Sequence, residues 1–325
     1  LKPIYLYLII GLAFFNSCKK EISFTTNAVK ISKLDSPTLT SINGISYVGG
    51  TIFISAGDGV YKSADMGSSW VKLSSLPNAA YSKISFLSPD TGIVYSSGKL
   101  YYTENGGINF STSTITATDV RLRGSIGYLL SKNGDDGIIY KSTNKGKTWV
   151  VMKYYSQIGS LNVVNIINNY TVSCTGLNRD YISTDNGYTW NLNSFGTELA
   201  SAESIIDTYH IDAESTDYTK YNKFYFTLKS HINDGYVDEI NLHEDFENQD
   251  YNEAGVLYYK IKFYNKDRAL IVGQNSILRK QGSDWVYCWN IDGTTIPYTF
   301  LNFEFIDENT VMAVGTSGLI CLIEI

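Results

Sequence analysis

The sequence predicts an all-β protein assembled from repeated four-stranded units, on three observations. Four copies of one hairpin motif recur at near-constant spacing. Strand-like apolar segments separated by turn residues fill the rest of the chain. Composition is that of a β-protein, with 26 Tyr and 14 Phe among 325 residues and 43% apolar residues, enough for a core shared between repeats. The four copies are Ser63–Trp70, Thr103–Phe110, Ser142–Trp149 and Ser183–Trp190, all reading S/T-x-D/N-x-G-x-x-W/F, and their first residues are 40, 39 and 41 positions apart. A period of that length is the size of one propeller blade.

Each position in the motif has a physical role. Tyr61, Tyr101, Tyr140 and Tyr181 stand two residues before Ser63, Thr103, Ser142 and Ser183, so strand alternation puts both side chains of each pair on one face. Asp65, Asn105, Asn144 and Asp185 can accept hydrogen bonds from backbone amides just ahead of them and close a turn. Gly67, Gly107, Gly146 and Gly187 supply the positive φ that such a turn needs. Trp70, Phe110, Trp149 and Trp190 open the outgoing strand, where each ring buries on the order of 200 Å² over the hairpin base.

The motif resembles the Asp-box, or BNR repeat, of the sialidase-like, sortilin-type and photosystem II assembly factor-like propellers. The copies at 63–70 and 183–190 match it in full, that at 142–149 has Asn for Asp, and that at 103–110 is degenerate. The resemblance implies a hairpin between the outer strands of a blade, away from the ligand face, and so a structural role for these sixteen positions.

Further blades are read from strand patterns. Leu270–Lys280 with Trp285–Tyr287 repeats the strand–turn–strand order, as does the run from Phe303 to Ile320. Phe224–Leu228 and Tyr236–Leu242 form a segment without a box. The 297 residues from Val29 to Ile325 divided by seven give 42 per blade, which predicts seven blades, with six or eight as alternatives. The last run ends without a fourth strand. A strand near Val29, Ile31 and Leu34 can supply it, pairing the two termini and leaving no open edge.

The amino terminus carries an apolar run from Ile4 to Phe15, too short to span a bilayer and of the size of a signal-peptide core. It ends at Asn16-Ser17-Cys18, which resembles a bacterial lipoprotein processing site of the Bacteroidetes type. Residues 1–17 are then a signal peptide, Cys18 the acylated residue, 18–27 a tether and 28–325 the propeller. The resemblance implies an outer-membrane lipoprotein of the cell envelope, and Lys19-Lys20-Glu21 resembles a surface-export signal. The remaining cysteines, Cys174, Cys288 and Cys321, cannot all pair within one molecule, and their apolar contexts read as buried thiols.

With 26 basic and 32 acidic residues, the net charge of −6 gives no reason to expect nucleic acid. The acidic stretch from Asp234 to Glu253 reads as a solvated loop, His210, His231 and His243 form no local metal motif, and no cofactor or metal is expected. Sialidases bind their substrate carboxylate with three arginines, because only guanidinium offers a planar bidentate match. The five arginines here are Arg121, Arg123, Arg179, Arg268 and Arg279; none precedes the first box and none is followed by Ile-Pro. Arg121 and Arg123 share one face of a first, channel-lining strand and are candidates to meet an anionic ligand. Trp285, Tyr287 and Trp289 alternate as if along one strand; the first two read as core and Trp289 as a candidate binding residue. The expected function is a non-catalytic, lipid-anchored scaffold for a protein partner. Alternatives are a glycan-binding protein of a carbohydrate-uptake system and a glycoside hydrolase of sialidase-like fold.

Overall fold

The computed structural model describes residues 28–193 except 97, 157–160, 167–169 and 177–179; the backbone of 202–204, 210–215, 226–232 and 235–241; and 258–325 except 266–267, 282–283, 291–292 and 294. Among the described residues the strands form seven sheets. Four are antiparallel meanders in chain order. The first sheet is Ile42–Val48, Thr51–Ala56, Gly59–Ser63 and Val71–Lys72, and the second Lys83–Phe86, Gly92–Ser96, Lys99–Thr103 and Ser111–Ser113. The third is Asp119–Arg123, Ile126–Asn133, Asp136–Ser142 and Val150–Tyr155, and the fourth Leu161–Ile166, Val172–Gly176, Asp180–Ser183 and Asn191–Asn193.

The fifth sheet, His210–Ser215, Phe226–Ile232 and Gly235–Asn241, coincides with the segment that has no box. The sixth runs Tyr258–Asn265, Arg268–Gly273, Ser276–Gln281 and Asp284–Tyr287, with Ala202–Ser204 parallel to its first strand. The seventh comprises Phe300–Asp307, Thr310–Gly315 and Ile320–Glu324, and its next strand is Ala28–Lys33. That amino-terminal strand pairs antiparallel with the carboxy-terminal one, Ile31 opposite Ile323 and Lys33 opposite Cys321, and Val29 is fully buried.

First strands of neighbouring sheets lie against one another. Ile42–Val48 meets both Lys83–Phe86 and Phe300–Asp307, and Asp119–Arg123 meets both Lys83–Phe86 and Leu161–Ile166. The core accordingly lies between sheets. Phe53 and Val60 of the first sheet pack with Ile84, Phe86 and Val94 of the second, and the Phe53 and Phe86 rings stack at 3.6 Å between centroids. Sandwiching explains why Thr51–Ala56 is buried at every position and reads as an uninterrupted run instead of an alternating one.

The four boxes share one hydrogen-bond pattern. The hydroxyl of Ser63, Thr103, Ser142 or Ser183 donates to the Asp or Asn two residues on and accepts the N–H of the box glycine. The Asp or Asn oxygen accepts the N–H four residues ahead, at Ser69, Asn109, Thr148 or Thr189. The glycines have φ between 84° and 89°, and the residues before them, Met66, Gly106, Lys145 and Asn186, are left-handed as well, with φ from 59° to 67°. Two consecutive left-handed residues reverse the chain, and only the second needs glycine, because it also packs against a neighbouring sheet. The box aromatics pack across to the preceding sheet too: Trp190 lies edge-on to Tyr128 at 6.2 Å, and Trp149 joins Ile93, Leu100 and Tyr102.

One expectation is corrected. Trp285, Tyr287 and Trp289 do not share a strand. Asp284–Tyr287 pairs with Ser276–Gln281, whereas Trp289–Asn290 pairs parallel with Ala28–Val29 in the seventh sheet. The chain changes sheets at buried Cys288, so the alternation is broken there and the three positions do not belong to one strand. Cys174, Cys288 and Cys321 are buried and in no disulfide, as their contexts predicted.

Candidate functional site

The polar cluster of this protein lies where first strands converge. A cavity of about 90 Å³ opens between five of them, and its lining includes Lys83, Arg121, Lys260, Lys262, Asn302 and Glu304, together with Asn43 and Ser46. All of these come from strands that alternate polar and apolar residues, so the apolar side chains enter the layers between sheets and the polar ones share the opposite side. Lys260 and Lys262 are 9% and 4% exposed. Buried lysines demand acceptors and carboxylates close by.

Asp119 anchors the cluster. It is 1% exposed, with Lys83 Nζ at 3.2 Å and Arg121 Nη1 at 3.7 Å from Oδ1, while Oδ2 accepts the backbone N–H of Val164 at 3.0 Å. Burial alone would raise its pKa, but Arg121 and then Lys83, with the Val164 N–H, outweigh it and hold the carboxyl below its ordinary value. Held ionised, it has no proton to offer a leaving group. Glu304 is tied to Lys262 at 2.6 Å. Asn302 bridges sheets, donating to the Asn43 carbonyl at 3.2 Å.

Of the two candidate arginines, only Arg121 lines the cavity. Arg123 shares its strand but donates to the Ile166 carbonyl of the fourth sheet at 3.1 Å, so it links sheets. Arg268 caps a turn at Glu308 and Asn309, and Arg279 lies on the third strand of its sheet. No three arginines converge among the described residues. Cys18, Arg179, His243 and the acidic loop beyond Asn241 lie outside the described residues, as do the side chains of Trp289, His210 and His231. The lysines were missed in the sequence because Lys83 on one strand and Lys260 and Lys262 on another sit in ordinary alternating patterns. The available signal was positional: Lys83, Asp119 and Arg121, Lys260 and Lys262, and Asn302 and Glu304 all occupy first strands.

The repeated box, the sheet order and the converging first strands define a β-propeller with Asp-box repeats. The model of the BNR/Asp-box repeat family matches residues 181–192, the fourth box. Among solved structures the chain resembles YCF48 bound to D1 peptide, at 13% identity and a TM-score of 0.62, covering 92% of this chain and 96% of that one. It also resembles an ancestral GH74 enzyme, at 13% identity and a TM-score of 0.64, covering 89% of this chain and 45% of that one. PorZ, a surface component of the type-IX secretion system of Porphyromonas gingivalis, is similar at 13% identity and a TM-score of 0.55, covering 90% of this chain and 37% of that one. At these identities the likeness is of fold. No curated protein matches the sequence.

Proposed function

We propose that this protein is a non-catalytic scaffold of the bacterial cell envelope, anchored through lipidated Cys18, that holds a protein partner on its propeller. In this reading the seven sheets are seven blades of one ring, closed by the pairing of Ala28–Lys33 with Ile320–Glu324; residues 1–17 are the signal peptide and 18–27 the tether. The observation that carries the reading is the cavity where five first strands meet, lined by lysine, arginine and asparagine side chains, which suits recognition of polar chain groups; Asp119, paired with Lys83 and Arg121 of that lining, is kept ionised. The structural neighbour with a bound D1 peptide supplies precedent for a polypeptide on this fold.

Detergent-solubilised protein, crosslinked to envelope extract and read by mass spectrometry, should capture a polypeptide. Capture of glycan with no polypeptide would replace the scaffold reading with glycan binding, and loss of terminal sugars would replace it with hydrolysis. Cys18→Ala should release the protein from the membrane fraction and abolish acyl labelling; unchanged fractionation and labelling would end the anchor proposal.

A further inference from the structure

We propose that Asn133 is a site of spontaneous covalent modification, at which attack by the Gly134 backbone nitrogen converts the side-chain amide through a succinimide into aspartate and isoaspartate. This goes beyond the scaffold reading and does not depend on it, because it uses only one hairpin of the third sheet and water.

Asn-Gly is the dipeptide in which this chemistry is least hindered, since glycine puts no Cβ beside the attacking nitrogen. Four such pairs occur in the sequence, at 43–44, 105–106, 133–134 and 186–187, and their surroundings differ. Gly187 donates its N–H to Ser183 Oγ at 2.8 Å, and the Asn186 side chain meets Tyr128 Oη. Gly106 donates to the Asp90 carbonyl at 2.8 Å, while Asn105 Oδ1 accepts from Thr103 and Asn109. Gly44 is buried within the strand Ile42–Val48, opposite Ser55. An amide nitrogen held by a hydrogen bond or by its strand reacts only after local opening frees it.

Asn133–Gly134 has none of these restraints. Both residues are exposed, at the turn Gly134–Asp135 that joins Ile126–Asn133 to Asp136–Ser142, with Asn133 opposite Asp136. Among the described residues neither the Gly134 N–H nor the Asn133 side-chain amide has a hydrogen-bond partner. Gly134 is left-handed, at φ +62°, and nothing lies within 4 Å of its Cβ position, so the turn has room for a five-membered ring.

The step balances with water alone. Gly134 N loses its proton and bonds to Asn133 Cγ, and the Cγ–Nδ2 bond breaks as ammonia departs with that proton. Water then opens the ring. Attack at Cγ gives aspartate, and attack at the backbone carbonyl carbon gives isoaspartate, with the main chain rerouted through Cγ. Either product adds a carboxylate beside Asp135 and Asp136, and isoaspartate also lengthens the main chain by a methylene at the end of the ladder. This hairpin joins the second and third strands of its sheet, whereas the box at 142–149 joins the third and fourth. The new charge therefore appears at the end of the sheet opposite its box.

The test ages detergent-solubilised full-length protein at neutral and at mildly alkaline pH, beside a sample unfolded in urea. Peptide mass spectrometry follows the amide-to-acid mass change at each of the four asparagines, and methyl transfer by an isoaspartyl methyltransferase counts isoaspartate. In folded protein Asn133 should convert about tenfold faster than Asn105 and Asn186, and faster still at alkaline pH, whereas in urea the four rates should draw together. Gly134→Ala should slow conversion of Asn133 several-fold. Ser183→Ala should speed that of Asn186 by releasing the Gly187 N–H. Thermal melting identifies any variant that fails to fold, and the comparison of the four sites in the unsubstituted protein stands without them. Equal rates at the four sites in folded protein, or an Asn133 that stays intact while the unfolded sample converts, would overturn the proposal. An unchanged Asn186 rate in folded Ser183→Ala would overturn the account of its selectivity.

Discussion

Gly187 of the fourth box lies directly against Tyr128 of the preceding sheet: a Cβ on Gly187 would stand 2.7 Å from the Tyr128 phenol oxygen. The contact belongs to a latch. Tyr128 Oη is 3.1 Å from Asn186 Oδ1, and Lys141, from the same sheet as Tyr128, donates to the Asn186 carbonyl at 2.7 Å with its ammonium near the Tyr128 and Tyr188 rings. The other boxes repeat the theme, Gly107 against Leu73, just beyond the last strand of the first sheet, and Gly67 against Met312 of the seventh. The motif therefore closes its own hairpin and docks it on the sheet before.

Gly187→Ala should cost about 2–4 kcal/mol, combining left-handed strain with displacement of a packed ring. Gly134→Ala, at φ +62° with open space around its Cβ position, should cost only about 1 kcal/mol. In a double-mutant cycle by urea denaturation, Tyr128→Phe should recover part of the Gly187→Ala loss by removing the atom nearest the added methyl. Equal costs at the two glycines would remove the packing role.

Asp65 and Asp185 are held at pKa values of about 2, chiefly by the Ser69 and Thr189 hydroxyls and backbone N–H groups. Because these values lie below the ordinary carboxylate value of about 3.9, the stabilisation is complete above about pH 4 and is lost as pH falls toward 2. Melting temperature should fall across that window, and the fall should shrink in an Asp65→Asn, Asp185→Asn double variant, which retains the acceptor as Asn105 and Asn144 do.

Asp119→Ala should destabilise the fold by about 2–4 kcal/mol, because it takes the buried carboxylate from the half-buried Lys83 and Arg121 and from the Val164 N–H. Partial exposure of Lys83, at 36%, screens the pair and keeps the cost from being larger. Chemical denaturation measures it, and a change under 1 kcal/mol would show that Asp119 does not anchor the cluster.

Deleting residues 28–33 should expose the edge of Ile320–Glu324 and remove Val29 from the core of the seventh sheet. The expected result is a broadened unfolding transition and self-association on light scattering, since an open strand edge templates pairing. A monomer with unchanged cooperativity would show that the terminal pairing is dispensable.

Burial pushes the Cys288 and Cys321 thiols up to about 12, and Cys174 is buried with them. Native protein should react with a thiol-specific dye at none of these three sites, and denatured protein at all three. Mass spectrometry of the labelled peptides reads each site separately.

In the boxes the Asp or Asn acceptor and the glycine φ were legible because both lie within eight residues, whereas the hydroxyl bonds of Ser63, Thr103, Ser142 and Ser183 came only with the structure. Ser183, Asp185 and Gly187 specify their turn by donor, acceptor and allowed φ. What the eight residues concealed was the left-handed Asn186, a residue type that tolerates φ above zero without announcing it. The terminal pairing was readable from a missing fourth strand. The row from Trp285 to Trp289 misled, since alternation cannot reveal that a chain changes sheets at Cys288.

The sequence by itself determined the repeat, its turns and the strands that alternate between polar and apolar residues, because these follow from local sterics and short-range hydrogen bonds. Only the tertiary structure decided which polar residues meet. Asn43 and Asn302 touch across 259 positions, and Lys83, Arg121, Lys260 and Lys262 share a cavity although each comes from a different part of the chain or an unremarkable strand. Their charges gather because the sheets pack with their first strands together, which brings like charges to one cavity, and Asp119 and Glu304 pair with them there.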